Sequence, residues 1–545
     1  MQTLLIVLVA TLLVISAAAC VAPRLGIPAP LILVMAGIGV SVIPGVPDVV
    51  IDPDIILIGL LPPLLYASAT SIPVMNLRRE FRAISALAVV LVVLSALALG
   101  ALFAWLIPGL GFGWGVALGA ILSPTDAVAT TIIKGSGAPN RVAVVLDGES
   151  LLNDASALIV LRTAVAATAL GFSFWPTFGN FAWAVFSAFV VGKLAASINL
   201  AIRRRVRDEA VNTILSFTTP FAAAIPAEML HGSGLVAAVV AGLVIGNRAA
   251  RDLPPRHRVS DAQTWATVEI ALEGAIFLTM GLQLSAIVRE LASEPAGLSR
   301  GLGLAAAALA VTLAVRALYV SLLVRGVNRS AARRQSRQSE VAAMQAELEA
   351  GRLPERIARR AGRPGRRFGA QMLERMVVRG RRYLADLDYL ARQPLGRAEV
   401  GLMIWAGMRG AVTVAAAQLL PAATPHRPLL VFIAFAVATM SLLLQGGTIR
   451  LFVARFFAAG PNDASLAAER AQRVRLAALV DEAAARVART DGTPEREHRL
   501  AVLSAQRLAL LGARDDGVFD AQTLALALRD VDIDEIVLEL RSPQA

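Results

Sequence analysis

The stretch "LGAILSPTDAVATTIIK" (Leu118–Lys134) decides how the chain folds. It opens as an apolar run, halts at Ser123, Pro124 and Thr125, places an acid at Asp126 and turns apolar again. Pro124 has no backbone N–H, and its ring clashes with the preceding turn, so a helix cannot pass through it undisturbed. Two readings of Asp126 stay open on these residues: an acid that caps the break, or one set in mid-membrane for a purpose.

The membrane setting comes from the rest of the chain. Of 545 residues, 56% are hydrophobic, and the mean hydropathy is +0.65. Soluble domains hold about 45–50% apolar residues. Thirteen apolar spans are expected, at 3–20, 27–44, 55–71, 83–107, 115–133, 143–169, 178–201, 210–226, 233–246, 265–285, 300–325, 401–420 and 428–453. A helix crosses the hydrocarbon core with on the order of 20 residues. The odd-numbered connections carry the basic residues, among them Arg24, Arg78, Arg79, Arg82, Lys134, Arg141 and Arg203; the even-numbered ones are acidic or nearly neutral. The positive-inside rule then puts the N-terminus outside and the C-terminus in the cytoplasm.

The expected fold is an all-α polytopic membrane protein with discontinuous helices. Residues 1–325 hold spans one to eleven, 326–400 a basic cytoplasmic insertion, 401–457 the last two spans, and 458–545 a helical cytoplasmic tail. In the insertion, "SEVAAMQAELEAGRLPERIARR" (339–360) reads as an amphipathic helix, a basic surface near anionic lipid headgroups. Nucleic acid is not an expected partner, because aromatic interleaving and any recognisable binding module are missing. No Lys or Arg precedes the first apolar run, so 3–20 reads as a retained helix rather than a cleaved signal. Cys20 is the only cysteine, which excludes an internal disulfide and a cysteine metal site, and no cofactor is expected. The basic residues are nearly all Arg, with Lys only at Lys134 and Lys193, which with the abundant Ala points to GC-rich coding and a bacterial plasma membrane.

Ionisable groups inside spans are expensive and default to functional candidates. In the sixth span, "GESLLNDASALIV" (Gly148–Val160) stacks Ser150 with Asp154 on one helix face and Glu149 with Asn153 on the adjoining one. Such a stripe of oxygens suits a hard cation. Burial also favours the protonated form of a carboxylate, so proton and metal ion compete for it. In the twelfth span, "IWAGMRGAVTVAAAQ" holds Arg409 between Gly407 and Gly410. A buried guanidinium needs a partner, and Glu149 is the expected one, leaving Asp154 free. Glu269 and Glu273 share a face of the tenth span, either on an ion pathway or in structural hydrogen bonds. Arg162 could snorkel outward, pair with an acid or tune the site. Glu228 and His231 are placed at the outer mouth, and "GSGLVAAVVAGLVIG" (Gly232–Gly246) reads as a packing surface.

"LLPPLLYASAT", "SPTDAVA", "ESLLNDASALIV" and "GMRGAV", in this order, resemble the monovalent cation/proton antiporters of the NhaP and eukaryotic Na⁺/H⁺ exchanger type. The resemblance covers most of residues 1–457 outside the insertion. It implies an inverted-repeat antiporter fold, a homodimer, and Asp154 as the carboxylate that holds cation and proton in turn. It further implies Asp126 as a second site carboxylate and Thr125 and Ser150 as ligands. Asn153 would mark electroneutral members, and Glu149 and Arg409 would form a structural pair. The sequence departs from the pattern at Ala67, where many members place an acid, with Ser68 following. The expected activity is export of Na⁺ or Li⁺ against external H⁺, one for one, serving sodium export and cytoplasmic pH. A K⁺/H⁺ antiporter on the same fold is the alternative, and a channel or ion-sensing receptor the alternative of another class. An enzyme is not expected, since no nucleophile–base pair or His/Cys cluster is present.

Overall fold

The computed structural model describes residues 2–43, 52–134, 138–170, 174–291, 297–335, 342–343, 345–346, 370–457, 463–489 and 494–540. Regular structure among the described residues is helical throughout. Inside lipid a helix satisfies its own backbone polar groups, which an open sheet cannot do.

The helices, in chain order, begin with α1 (Gln2–Leu25), α2 (Ala29–Ser41), α3 (Leu61–Ser71), α4 (Val74–Ser85), α5 (Val92–Leu106), α6 (Phe112–Ile121), α7 (Val128–Lys134) and α8 (Asn140–Leu170). There follow α9 (Phe174–Arg203), α10 (Glu209–Met229), α11 (Gly234–Asp252), α12 (Pro255–Leu282), α13 (Leu284–Leu291) and α14 (Gly297–Gln335). The remainder are α15 (Ala370–Arg392), α16 (Arg397–Trp405), α17 (Ala411–Gln418), α18 (Arg427–Ser441), α19 (Gly447–Phe456), α20 (Asp463–Ala485), α21 (Glu495–Asp516) and α22 (Ala521–Leu540). A π-helical turn, Leu442–Gly446, joins α18 to α19. Each window read as a span holds a helix, or helical segments joined by a π-helical turn or parted by a break. Among the described residues, eight helical stretches are long and apolar enough to cross a bilayer by themselves. The half-helices on either side of Pro124 and of Arg409 are short, and only in pairs do they approach that length.

The chain divides into two compact units, Met1–Leu253 with His257–Leu323 and Arg397–Gly460, and Pro254–Arg256 with Val324–Gly396 and Pro461–Ala545. The first unit contains two bundles. In one, α3, α9, α10 and α11 pack on each other. The small residues of α11 allow this: Ala237, Ala238 and Ala241 are fully buried between neighbours, as the packing reading of that stretch anticipates. Trp265 ties α12 to this bundle, with its ring 4.8 Å from Tyr66 and its Nε1 donating to Ser216 Oγ at 2.9 Å. In the other bundle α5 packs on α6, and α8 on both α4 and α6. A buried pair, Arg141 Nε to Glu80 Oε1 at 2.7 Å, joins α8 to α4. α18 lies at the centre, buried without interruption from Leu429 to Ala438.

In the second unit α21 packs against α15, α20 and α22 around Leu510, Leu511, Leu524 and Leu528. Arg507 bridges α21 to α22 through Asp532, at 3.0 Å, and Glu535. The amphipathic helix expected at 339–360 lies almost wholly outside the described residues.

A candidate ion-binding cavity at two crossed helix breaks

Two breaks meet in the first unit. Residues 123–126 leave the helix between α6 and α7, and 407–410 do so between α16 and α17. The two pieces are joined where the Asp126 N–H donates to the Met408 carbonyl at 2.8 Å. A helix end leaves backbone groups without intrahelical partners, which lipid cannot satisfy. Here two arginines serve them. Arg409 donates from Nε to the Leu122 carbonyl, at the C-terminus of α6, at 2.9 Å, and also to the Gly407 carbonyl. Arg316, from α14, donates from Nε to the Met403 carbonyl near the end of α16, at 2.9 Å. A cation at a helix C-terminus also complements the helix dipole. Gln445, carried on the π-helical turn, donates to the Trp405 carbonyl at 2.8 Å, and Ser441 Oγ accepts from the Arg409 N–H at 2.9 Å.

The expected pair of Glu149 with Arg409 is not what forms. Glu149 is clamped by Arg316 in a two-pronged bond, Nη2 to Oε2 being 2.9 Å, and both residues are 1% exposed. The physical reason is the break itself: the carbonyls freed at Leu122 and Gly407 take the Arg409 guanidinium, and Glu149 turns to the nearest remaining one. Gly407 makes room for this, since a Cβ there would overlap the Arg316 guanidinium. Arg316 stands alone among apolar residues in "LAVRALYV", and that isolation in mid-span is the signal that marks it.

Beside the crossing lies a cavity of about 130 Å³. α3, α7, α8, α12 and both breaks contribute to its lining. Thr125, Asp126, Ser150 and Asp154 all border it, and so do Glu269 and Glu273. Asp154 is 6% exposed, and its Oδ1 has no hydrogen-bond partner among the described residues. Asp126 does two things: Oδ1 caps α7 by accepting from the Val128 N–H at 3.0 Å, and Oδ2 lies against Gly410, where a Cβ would overlap it. The capping reading of Asp126 thus matches its contact with Val128, and the same side chain also borders the cavity. Among the described residues no fixed cation pairs with Asp126 or Asp154.

The other expected residues divide. Asn153 is 1% exposed and does not border the cavity; its Nδ2 donates to Thr125 Oγ1 at 2.5 Å, and Thr125 in turn donates to Glu149 at 3.5 Å. Ser150 Oγ donates to the Asp147 carbonyl at 3.1 Å, which leaves its lone pairs open. Glu269 accepts from Ser68 Oγ at 2.6 Å, whereas Glu273 has no hydrogen-bond partner among the described residues. Ala67, at the position where the family often has an acid, packs in the core of the first bundle, and Ser68 borders the cavity instead. Arg162 lies 3.5 Å from Glu228, so of its open readings the structure shows the pairing with an acid. Two charged cavity residues were not among the expected site residues, Asp147 and its partner Lys134. Asp147 stands seven residues before Asp154 on α8, two turns away on the same face, and that spacing was the available signal.

Crossed half-helices beside a cavity of buried carboxylates define an ion-coupled secondary transporter architecture. The chain belongs to the sodium/hydrogen exchanger family, whose transmembrane model matches residues 8–347. It is 36% identical over 247 residues to an uncharacterised Na⁺/H⁺ exchanger of Escherichia coli, a match spanning 44% of this chain and 45% of that protein. It is 26% identical over 431 residues to the Na⁺/H⁺ antiporter NhaP of Pseudomonas aeruginosa, spanning 76% of this chain and 83% of that one. The fold matches the sodium proton antiporter MjNhaP1 of Methanocaldococcus jannaschii with a TM-score of 0.56 and 16% identity, over 83% of this chain and 99% of that one.

Proposed function

We propose that the protein is a secondary antiporter exchanging cytoplasmic Na⁺, or Li⁺, for external H⁺, one for one, as a homodimer in a bacterial plasma membrane. The observation that carries this reading is a carboxylate, Asp154, buried at a cavity with an unpartnered oxygen and no fixed counter-cation among the described residues. An uncompensated buried charge is strongly unfavourable, so a mobile cation or a proton must neutralise it. One carboxylate cannot hold both, and alternation between the two occupants is exchange. The names of the Escherichia and Pseudomonas relatives agree with Na⁺ as the cation.

In this mechanism Asp154 alternates between its protonated and cation-bound forms. Asp126 and Ser150 supply further oxygens, and Thr125 is held in place by Asn153. Asn153 adds no charge, so each turnover moves one charge in each direction. Arg316 and Arg409 are excluded from this chemistry by their own bonds to Glu149 and to carbonyls.

The test is dye-reported proton movement in proteoliposomes across Na⁺, Li⁺ and K⁺, with and without a potential clamp. Asp154→Asn should abolish cation-dependent proton movement; survival of that movement would remove Asp154 from its role. A preference for K⁺ would replace the cation. A rate that follows the clamped potential would overturn the one-for-one ratio.

A further inference from the structure

Lys134 and Asp147 form an ion pair of 2.7 Å on the wall of the same cavity, and neither belongs to the mechanism above. Lys134 is the last residue of α7, the half-helix that follows the first break. Asp147, Ser150 and Asp154 stand at i, i+3 and i+7 on α8 and all border the cavity. Exposure falls along this row: the Lys134 side chain is 54% exposed and that of Asp147 14%, whereas Ser150 is 8% and Asp154 6% exposed. The row thus runs inward over about 10 Å of helix, from a half-open end to the unpartnered oxygen of Asp154.

The choice of lysine is informative. Of 52 basic residues only Lys134 and Lys193 are Lys, which leaves 50 Arg. An arginine here would grip the carboxylate with two parallel hydrogen bonds. Lysine offers a compact, strongly hydrated point charge on a flexible stem, the side chain that most resembles a hydrated alkali cation and releases a carboxylate most readily.

We propose that Lys134 is a tethered competitor for the transported cation: its ammonium occupies Asp147, the first carboxylate on the way to Asp154, and each incoming cation must displace it. It sets apparent cation affinity without touching the innermost site. The inference rests on the antiporter reading, because it needs a cation that travels to Asp154.

The experiment measures the apparent KM for Na⁺ in reconstituted wild type, Lys134→Gln, Lys134→Arg, Asp147→Asn and the double variant Lys134→Gln/Asp147→Asn. Removing the competitor should lower the KM by about two- to fivefold, the range of a partly exposed ion pair. Lys134→Arg, which keeps the charge and guards against a folding artefact, should raise it. Once Asp147 is Asn, the further change Lys134→Gln should leave the KM unaltered. An unchanged KM in Lys134→Gln, or the same effect with and without Asp147, overturns the proposal, as does a fall in kcat alone, which would show that the pair only anchors α7. The underlying reading fails separately, and takes this one with it, if the wild type moves no protons in response to cations or if Asp154→Asn still does.

Discussion

Arg409 directs its side-chain hydrogen bonds to carbonyls rather than to Glu149. The clamp on Glu149 comes from Arg316 instead, with both groups out of reach of solvent. Removing one member of such a pair strands the other, at a cost of about 3–5 kcal/mol. Glu149→Gln and Arg316→Met should each lower the thermal unfolding midpoint in detergent sharply, and the double variant should lie closer to wild type than either single one. If Glu149→Gln and Arg409→Met behaved as the coupled pair instead, the assignment would return to Arg409. The acids themselves were legible, because a charge in an apolar run is conspicuous. Their partners were not. Which guanidinium meets Glu149 depends on where the two breaks cross, and no local pattern encodes that.

Among elements, the break at Pro124 was readable because it has a local cause, whereas the glycines around Arg409 permit a second break without requiring it. The π-helical turn was not readable. Gln445 reads as a stray polar residue in an apolar run, and its purpose emerges only once the freed Trp405 carbonyl is seen beside it. The close contact of Gly410 with Asp126 likewise joins residues far apart in sequence. Gly410→Ala should push the Asp126 carboxylate away from its place and slow exchange on the order of 100-fold, the scale of effect expected from an ångström of misplacement. Gly447→Ala, where a Cβ meets open space, is the control and should exchange at the wild-type rate. Equal initial rates for the two variants would show that the Gly410 contact does not matter.

For the whole molecule, the alternation of loop charge gave an orientation, and α21 provides a place to test it. Ser504 is exposed on that helix. In a Cys20→Ser background, Ser504→Cys should react with a membrane-impermeant maleimide only after cells are permeabilised; labelling in intact cells would reverse the topology. The transmembrane architecture was legible because lipid imposes a strong and repetitive rule on sequence. The cavity was legible in part. Its α8 part shows as a stripe of polar residues, whereas Ser68 meets Glu269 only because α3 and α12 come together in the fold.

The join between Asp126 and Met408 is made by main-chain atoms, and the carbonyls around it are held by arginines and a glutamine that do not border the cavity. What holds the breaks is thus largely separate from what faces the cavity. Positions 68, 150, 269 and 273 touch the cavity without supporting the crossing. Such a division makes the protein evolvable at its most sensitive place: a lineage, or an engineer, can vary the cavity wall one position at a time on a scaffold that stays in register.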